Sequence, residues 1–401
     1  MDEINALRQM RTALAQEEHP DRLALRTSWR PDVTPHRRLR GFTIPLVSVA
    51  ATAAAAVTAI AVLAPGRSDD SVVPGQSGQG TAAGNVLLAA ASSAEKTPTG
   101  RYWYTETVTG TIYGVGKSAA NHYEVDSRQR SIIWVGPDGK GGLTIVDEGG
   151  RPVASQDMIK WRQAGAPKMV EVPNPDGPER AAVSMQASPS LPKSKSAGKA
   201  FNAEYFGLTA RQVAKLPTDA KALENVLLNL KGDWHAYSSR PEREPIRSLR
   251  GAERTRALSD VAGTLLSRAP TPPRVRAAAF RMLATLPGVK AGGTAADPMG
   301  RTGRVICMPL ETTVPLGLYT APKQLGTYQR QWIIDPASGR LLAIRDLVAR
   351  PPHGSRALPP GDDGKPRRLT AADMPDRFLK TGEVASYQVF AVAEWTNTPP
   401  K

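Results

Sequence analysis

A stretch of 24 residues, 41–64 (GFTIPLVSVAATAAAAVTAIAVLA), carries no charge and follows directly on Arg37, Arg38 and Arg40. As a helix rising about 1.5 Å per residue it reaches roughly 36 Å, enough to cross a hydrocarbon core of about 30 Å. Its strongly apolar side chains, among them Phe42, Ile44, Leu46 and Leu63, favour insertion by about 4 kcal/mol, from which Pro45, Ser48 and the threonines subtract. A cleaved signal peptide would carry a short basic region before the apolar run, whereas 40 residues precede this one. A buried core helix of this length rarely lacks every charge. The run therefore reads as a single membrane-spanning helix, and the arginines before it place the N-terminus in the cytoplasm and everything after Ala64 outside the cell.

This divides the chain. Residues 1–36 form a cytoplasmic tail, in which Ile4, Leu7, Met10 and Leu14 mark a short amphipathic helix suited to a cytoplasmic regulatory partner. Residues 37–64 are the basic flank and the span, and 65–83 (PGRSDDSVVPGQSGQGTAA) a flexible Gly/Ser/Pro linker. Residues 84–401 are the extracytoplasmic domain, long enough for a substantial core.

Composition narrows the chemistry. Of 401 residues, 52 are Lys or Arg and 37 Asp or Glu, a net charge of +15. Nucleic acid, the usual partner of so basic a chain, lies on the other side of the membrane, leaving lipid headgroups or an anionic envelope polymer. Cys307 is the sole cysteine, which excludes a disulfide framework, a CxxC redox pair and a cysteine-based zinc site. His19, His36, His122, His235 and His353 are too scattered to form a ligand pair.

Within 84–401, Val86, Leu87, Ala90 and Ala94 mark a first helix. Arg101–Val108 (RYWYTETV), Tyr123–Val135 and Leu143–Val146 then read as strands separated by turns at Pro137-Asp138-Gly139 and Glu148-Gly149-Gly150. Residues 171–200, rich in Pro, Ser and Lys, are expected to be a disordered insertion. Helical signals follow. Thr209 with Gln212 forms a capping box, and Asp219 caps a helix with a Leu223, Val226, Leu227, Leu230 stripe. A longer helix covers 254–267, and Thr271 with Pro272 opens another that ends before Pro287-Gly288. Strands resume at Arg304–Met308 and in a hairpin, Tyr328–Ile334 with Leu341–Asp346. A long loop spans 350–377. The last strand, Val384–Thr396, alternates so that Ala385, Tyr387, Val389, Ala391, Ala393 and Trp395 are expected on one face. Strands flanking helices predict an α+β domain, a curved antiparallel sheet packed on a few helices.

No local motif nominates a catalytic, cofactor-binding or metal-ligating residue. Ser93-Ala-Glu-Lys96 and Lys380-Thr381-Gly382 match two penicillin-binding signatures, but Ser259-Asp260 is followed by Val261 rather than Asn. Gly116-Lys117-Ser118 lacks the upstream glycine of a phosphate loop, because position 111 is Thr111. Aromatic strand residues such as Trp103, Trp134, Trp332 and Trp395 suit either a core or a pocket for an acyl chain. An envelope hydrolase without a local motif and a structural wall-contact protein are the alternatives to a binding protein.

The hairpin segment Ile334–Leu342 (IDPASGRLL) resembles a turn found in bacterial envelope lipoprotein carriers and in sigma-factor regulator domains of the RseB/MucB type. That resemblance implies a half-barrel of strands over helices, with an apolar concavity. The overall layout, with MDEINALRQMR, the arginine-flanked span, GRYWYTETVTG, LPTD and AAAFRMLATLPGVK, is similar to a family of single-pass actinobacterial membrane proteins without an assigned activity. It implies topology and no mechanism, and carries over no functional residue; signalling to a sigma-factor-type partner is expected from the topology together with the hairpin resemblance. The cytoplasmic layout also resembles anti-sigma factors, although His19 and His36 lack the cysteines of their zinc motif.

Overall fold

The computed structural model describes residues 76–173, 181–187, 201–232, 234, 244–310, 325–358 and 365–398, which belong to one compact unit. The expected span 41–64 and the tail 1–36 lie outside them. Among the described residues no helix is long and apolar enough to cross a membrane.

The domain is α+β, with nine strands in one antiparallel sheet. β1 (Tyr102–Ser118), β2 (Asn121–Val135) and β3 (Lys140–Pro152) form a meander, edged by the two-residue β4 (Phe201–Asn202). A second meander consists of β5 (Lys290–Ala296), β6 (Thr302–Cys307), β7 (Thr327–Asp335) and β8 (Arg340–Arg350). The last strand, β9 (Val384–Thr396), lies between β8 and β1 and so joins the two. Its central place makes the end of the chain part of the fold's interior rather than an appendage.

Alternation decides which face each side chain takes. On β1, Trp103, Thr105 and Thr107 are buried on one face, opposite Trp395, Ala393 and Phe390 of β9. Val108 and Gly110 face the other way, opposite Val389 and Tyr387. The expected single face on β9 is thus corrected. A bulge at Ala391, where Glu106 pairs with Val392 and Thr107 with Phe390, flips the alternation, so Tyr387 and Val389 oppose Ala393 and Trp395.

Helices α1 (Gln76–Ala94), α3 (Ala220–Leu227), α4 (Gly251–Ser267) and α5 (Pro273–Leu283) pack into the main core with Trp332, Ile344 and Phe390 of the sheet. Alanines let α1 and α5 approach closely: Ala90, Ala91 and Ala94 on one, Ala277, Ala278 and Ala279 on the other, all fully buried. Gly263 does the same for α4, since a Cβ there would stand 3.2 Å from the Trp332 ring. One ionic group joins helix to sheet in this core. Arg330 on β7 donates to both Asp346 oxygens, at 2.9 and 3.1 Å, and to Asp260 of α4 at 2.7 Å.

Several boundaries differ from expectation. α1 begins at Gln76, inside the segment expected to be linker, 65–83. The expected insertion 171–200 contains a hairpin instead, Met169–Val172 paired with Ala181–Ser184; residues 174–180 and 188–200 lie outside the described set. The expected loop 350–377 holds a second hairpin, Ser355–Leu358 with Arg367–Thr370. Its strands are four residues each and mix arginine with leucine, too short and uneven for a pattern search. The short α2 (Ser155–Gln163) has a low apolar content and no buried residue, and no sequence signal announced it. Thr271 is not the cap of α5: Pro272 is, and the helix starts at Pro273. The caps read from Thr209 with Gln212 and from Asp219 are present, the latter accepting from the Ala222 amide at 2.8 Å. Of the α3 stripe, Leu223 and Leu227 are buried while Val226 is exposed.

Candidate functional site

At the far end of β1, an open groove of about 770 Å³ lies between three chain segments. The β1–β2 hairpin supplies Val115, Lys117 and Tyr123. The hairpin at 169–172 supplies Met169, Val170 and Glu171, and the segment before β9 supplies Arg377 and Phe378. Tyr123 and Val170 are buried and shape the floor; Met169, 52 % exposed, leaves its apolar surface to solvent. Lys117 and Glu171 are exposed at the rim.

Local backbone chemistry explains why these segments meet. Gly114 has no side chain, so the Phe378 ring rests where a Cβ would be 2.8 Å away, and the Gly114 amide donates to Pro375 O at 2.8 Å. Arg377 donates to Gly116 O at 2.9 Å and to Ala372 O at 3.0 Å while its guanidinium lies 4.8 Å from the Phe378 ring centroid. The His122 ring is tilted against the Phe378 ring, with centroids 4.7 Å apart. Gly116 adopts φ 147, and the pairing of β1 with β2 shifts there, leaving Lys117 out of the ladder.

Next in sequence to groove residues Tyr123 and Arg377 are a half-buried carboxyl, Glu124, and a buried one, Asp376. Glu124 is pushed up to about 7, first by burial and then by Glu383 and Asp157, against Lys380 and Lys160. Asp376 is pushed up to about 6 by burial, against the hydrogen bond that the Tyr328 hydroxyl donates to it at 2.7 Å. On the sheet face away from the main core, Asp126 accepts from Tyr387 at 3.1 Å and from Arg151 at 3.3 Å. Arg130 donates to Glu106 and Glu148. These charges hold one another.

The sequence motifs are not assembled into a catalytic set. Ser93 lies in the last turn of α1, against the Gly339 end of β8, whereas Thr381 donates to Ala349 O near the other end of that strand. Ten residues of strand separate those ends by about 30 Å. Ser259 is buried inside α4 and donates to Arg256 O. Cys307 is half-buried on β6; burial raises its pKa, which makes it a poor nucleophile. Among the described residues no three His, Cys, Asp or Glu side chains are grouped to hold a metal ion. The groove was not foreseen, because its walls come from segments some 200 residues apart. Gly114 and Gly116 between Tyr113 and Tyr123, and the Arg377-Phe378 pair, were its local trace.

Comparison with known protein families, with curated proteins and with solved structures finds no match. The class defined here is thus an α+β domain with a filled helical core and an open, largely apolar groove. The likeness of Ile334–Leu342 to lipoprotein carriers rests on that turn alone.

Proposed function

We propose that this chain is a non-enzymatic single-pass membrane protein whose extracytoplasmic domain, 84–401, binds an amphiphilic cell-envelope ligand in the groove. The observation that carries the reading is the groove's makeup. Tyr123, Val115, Val170, Met169 and Phe378 offer an apolar surface for an acyl chain, and Lys117 and Arg377 offer positive charge for its headgroup. A lipid is favoured over a bare polymer because both characters converge there. A hydrolase would need an acid–base pair or an activated nucleophile. The groove's lining holds one carboxylate, Glu171, and no serine, histidine or thiol.

The half-barrel expected from the hairpin resemblance would place a ligand under the sheet, but helices fill that side with Leu87, Leu258, Phe280 and Trp332. The groove at the strand ends is the open alternative. Native mass spectrometry of the full chain, titrated with an anionic phospholipid in detergent, tests this. Retained lipid is expected for the wild type, with affinity at least about tenfold weaker in Val115→Asp and Met169→Asp, about 1.4 kcal/mol or more. Equal retention in all three chains would remove the groove from the proposal. A signal to a sigma-factor-type partner through 1–36 is part of the same reading; a partner recovered equally well without those residues would end it.

A further inference from the structure

At the opposite end of β1, Arg276 and Arg340 stand near one another without a counterion among the described residues. Trp103 is fully buried there; its Nε1 donates to Arg268 O at 2.8 Å, and the Trp395 ring stands edge-on at 5.3 Å. The Arg276 guanidinium lies over Trp103, 5.3 Å from the ring centroid. Arg276 is only 4 % exposed, yet beyond this ring contact it has no hydrogen-bond or ion-pair partner among the described residues, and its Nε is buried and unsatisfied.

Its neighbours compound the deficit. Arg340 is close enough to lower the Arg276 pKa. Its own Nε is buried without an acceptor, and its Nη2 makes a long 3.4 Å bond to Ala391 O. Arg268, half-buried, gives its backbone carbonyl to this corner, while the charge that acts on its guanidinium is that of Tyr205. Trp395 Nε1 is a buried donor without an acceptor, and the Thr271 hydroxyl is buried without a partner. The carboxylate reached next through Ala391, Asp297, is committed to Arg301, which takes both its oxygens at 2.6–2.9 Å. Burial, and then Arg340, bring Arg276 down to about 10; burial does the same to Arg268.

A ring face returns only part of what it costs to take a guanidinium out of water. The charged surplus is all on the donor side, so what completes the site is an acceptor, and an anion. We propose that Arg276 and Arg340 bind a phosphoryl dianion beside the Trp103–Trp395 pair. Asp335, opposite Arg340 in the ladder, is taken up by Ala337 and Ser338 in the turn; two guanidiniums then favour a dianion over a carboxylate monoanion, and planar forks match phosphoryl oxygens two at a time. Arg340 and Trp395 are half-buried, so the site is reached from their side. It lies twelve residues along β1 from the groove, about 40 Å, so either site can fail without the other.

Calorimetry on the full chain in detergent, with inorganic phosphate as titrant in chloride buffer, tests the proposal. One phosphate per chain is expected, weakened about tenfold or more by Arg276→Gln and by Arg340→Gln. Phosphate should raise Tm in the wild type and not in Arg276→Gln, as binding to the folded state alone requires. Binding confined to vesicles containing phosphatidic acid, and lost in the same variants, would keep the site and identify its source as a lipid headgroup. Neither phosphate nor those vesicles binding would overturn the proposal, as would phosphate binding unchanged in both variants. Should Arg276→Gln not fold, Arg340→Gln, at the half-buried edge, gives the same decision.

Discussion

Glu124 and Asp376 show how burial turns ordinary carboxyls into pH-sensitive ones. Glu124 is raised to about 7 and Asp376 to about 6, both chiefly by burial. Unfolded, each would release its proton near pH 4. Between those limits the folded chain binds more protons than the unfolded one, so stability falls as pH rises from about 4 to about 7. Asp126 and Asp260 are displaced in the same direction by burial. Thermal unfolding is expected at lower temperature at pH 8 than at pH 5.5. Glu124→Gln with Asp376→Asn should flatten the slope and raise Tm at pH 8. A profile that rises with pH would contradict this assignment. Neither residue stood out in the sequence, because burial belongs to the surroundings and a one-letter code does not carry it.

Elements were legible where their signals are local. The turn joining β7 and β8 was read from Asp335-Pro336-Ala337-Ser338-Gly339, and it forms as expected. Asp335 accepts from the Ala337 amide at 3.0 Å and from Ser338 Oγ at 2.5 Å, and Gly339 takes φ 66. What the pattern did not contain is that α1 ends on this turn. A Cβ on Gly339 would lie 2.3 Å from Ala94 N and 2.7 Å from Ala90 O, both helix backbone. Gly339→Ala is therefore expected to destabilise by about 2–3 kcal/mol, through positive φ and through the forced retreat of α1. Urea unfolding measures it; a loss below about 0.5 kcal/mol would mean that helix and turn are not so closely packed. The bulge in β9 is the converse case. One unpaired residue, Ala391, inverts the faces of everything beyond it, and nothing in an alternating stretch marks where the partner strand will slip.

At the scale of the whole molecule, the reading depends on residues 41–64 lying in a bilayer with the α+β domain outside. The observation behind it is the uncharged run after three arginines. Protease added to intact protoplasts should digest the domain and spare the tail. Survival of the domain, with the protein in the soluble fraction, would remove both the location and the envelope ligand.

By itself the sequence determined the α+β class, the chemistry of the β7–β8 turn, two helix caps and the longer strands and helices, since these follow from spacings of a few residues. Tertiary structure alone decided that β9 runs between β8 and β1, that helices fill one face of the sheet, that a groove opens where three segments converge, and that Arg276 is sealed beside Trp103 without an acceptor. The physical reason is common to all four. Each depends on which distant groups exclude water from one another, and that is settled only when segments hundreds of residues apart come into contact.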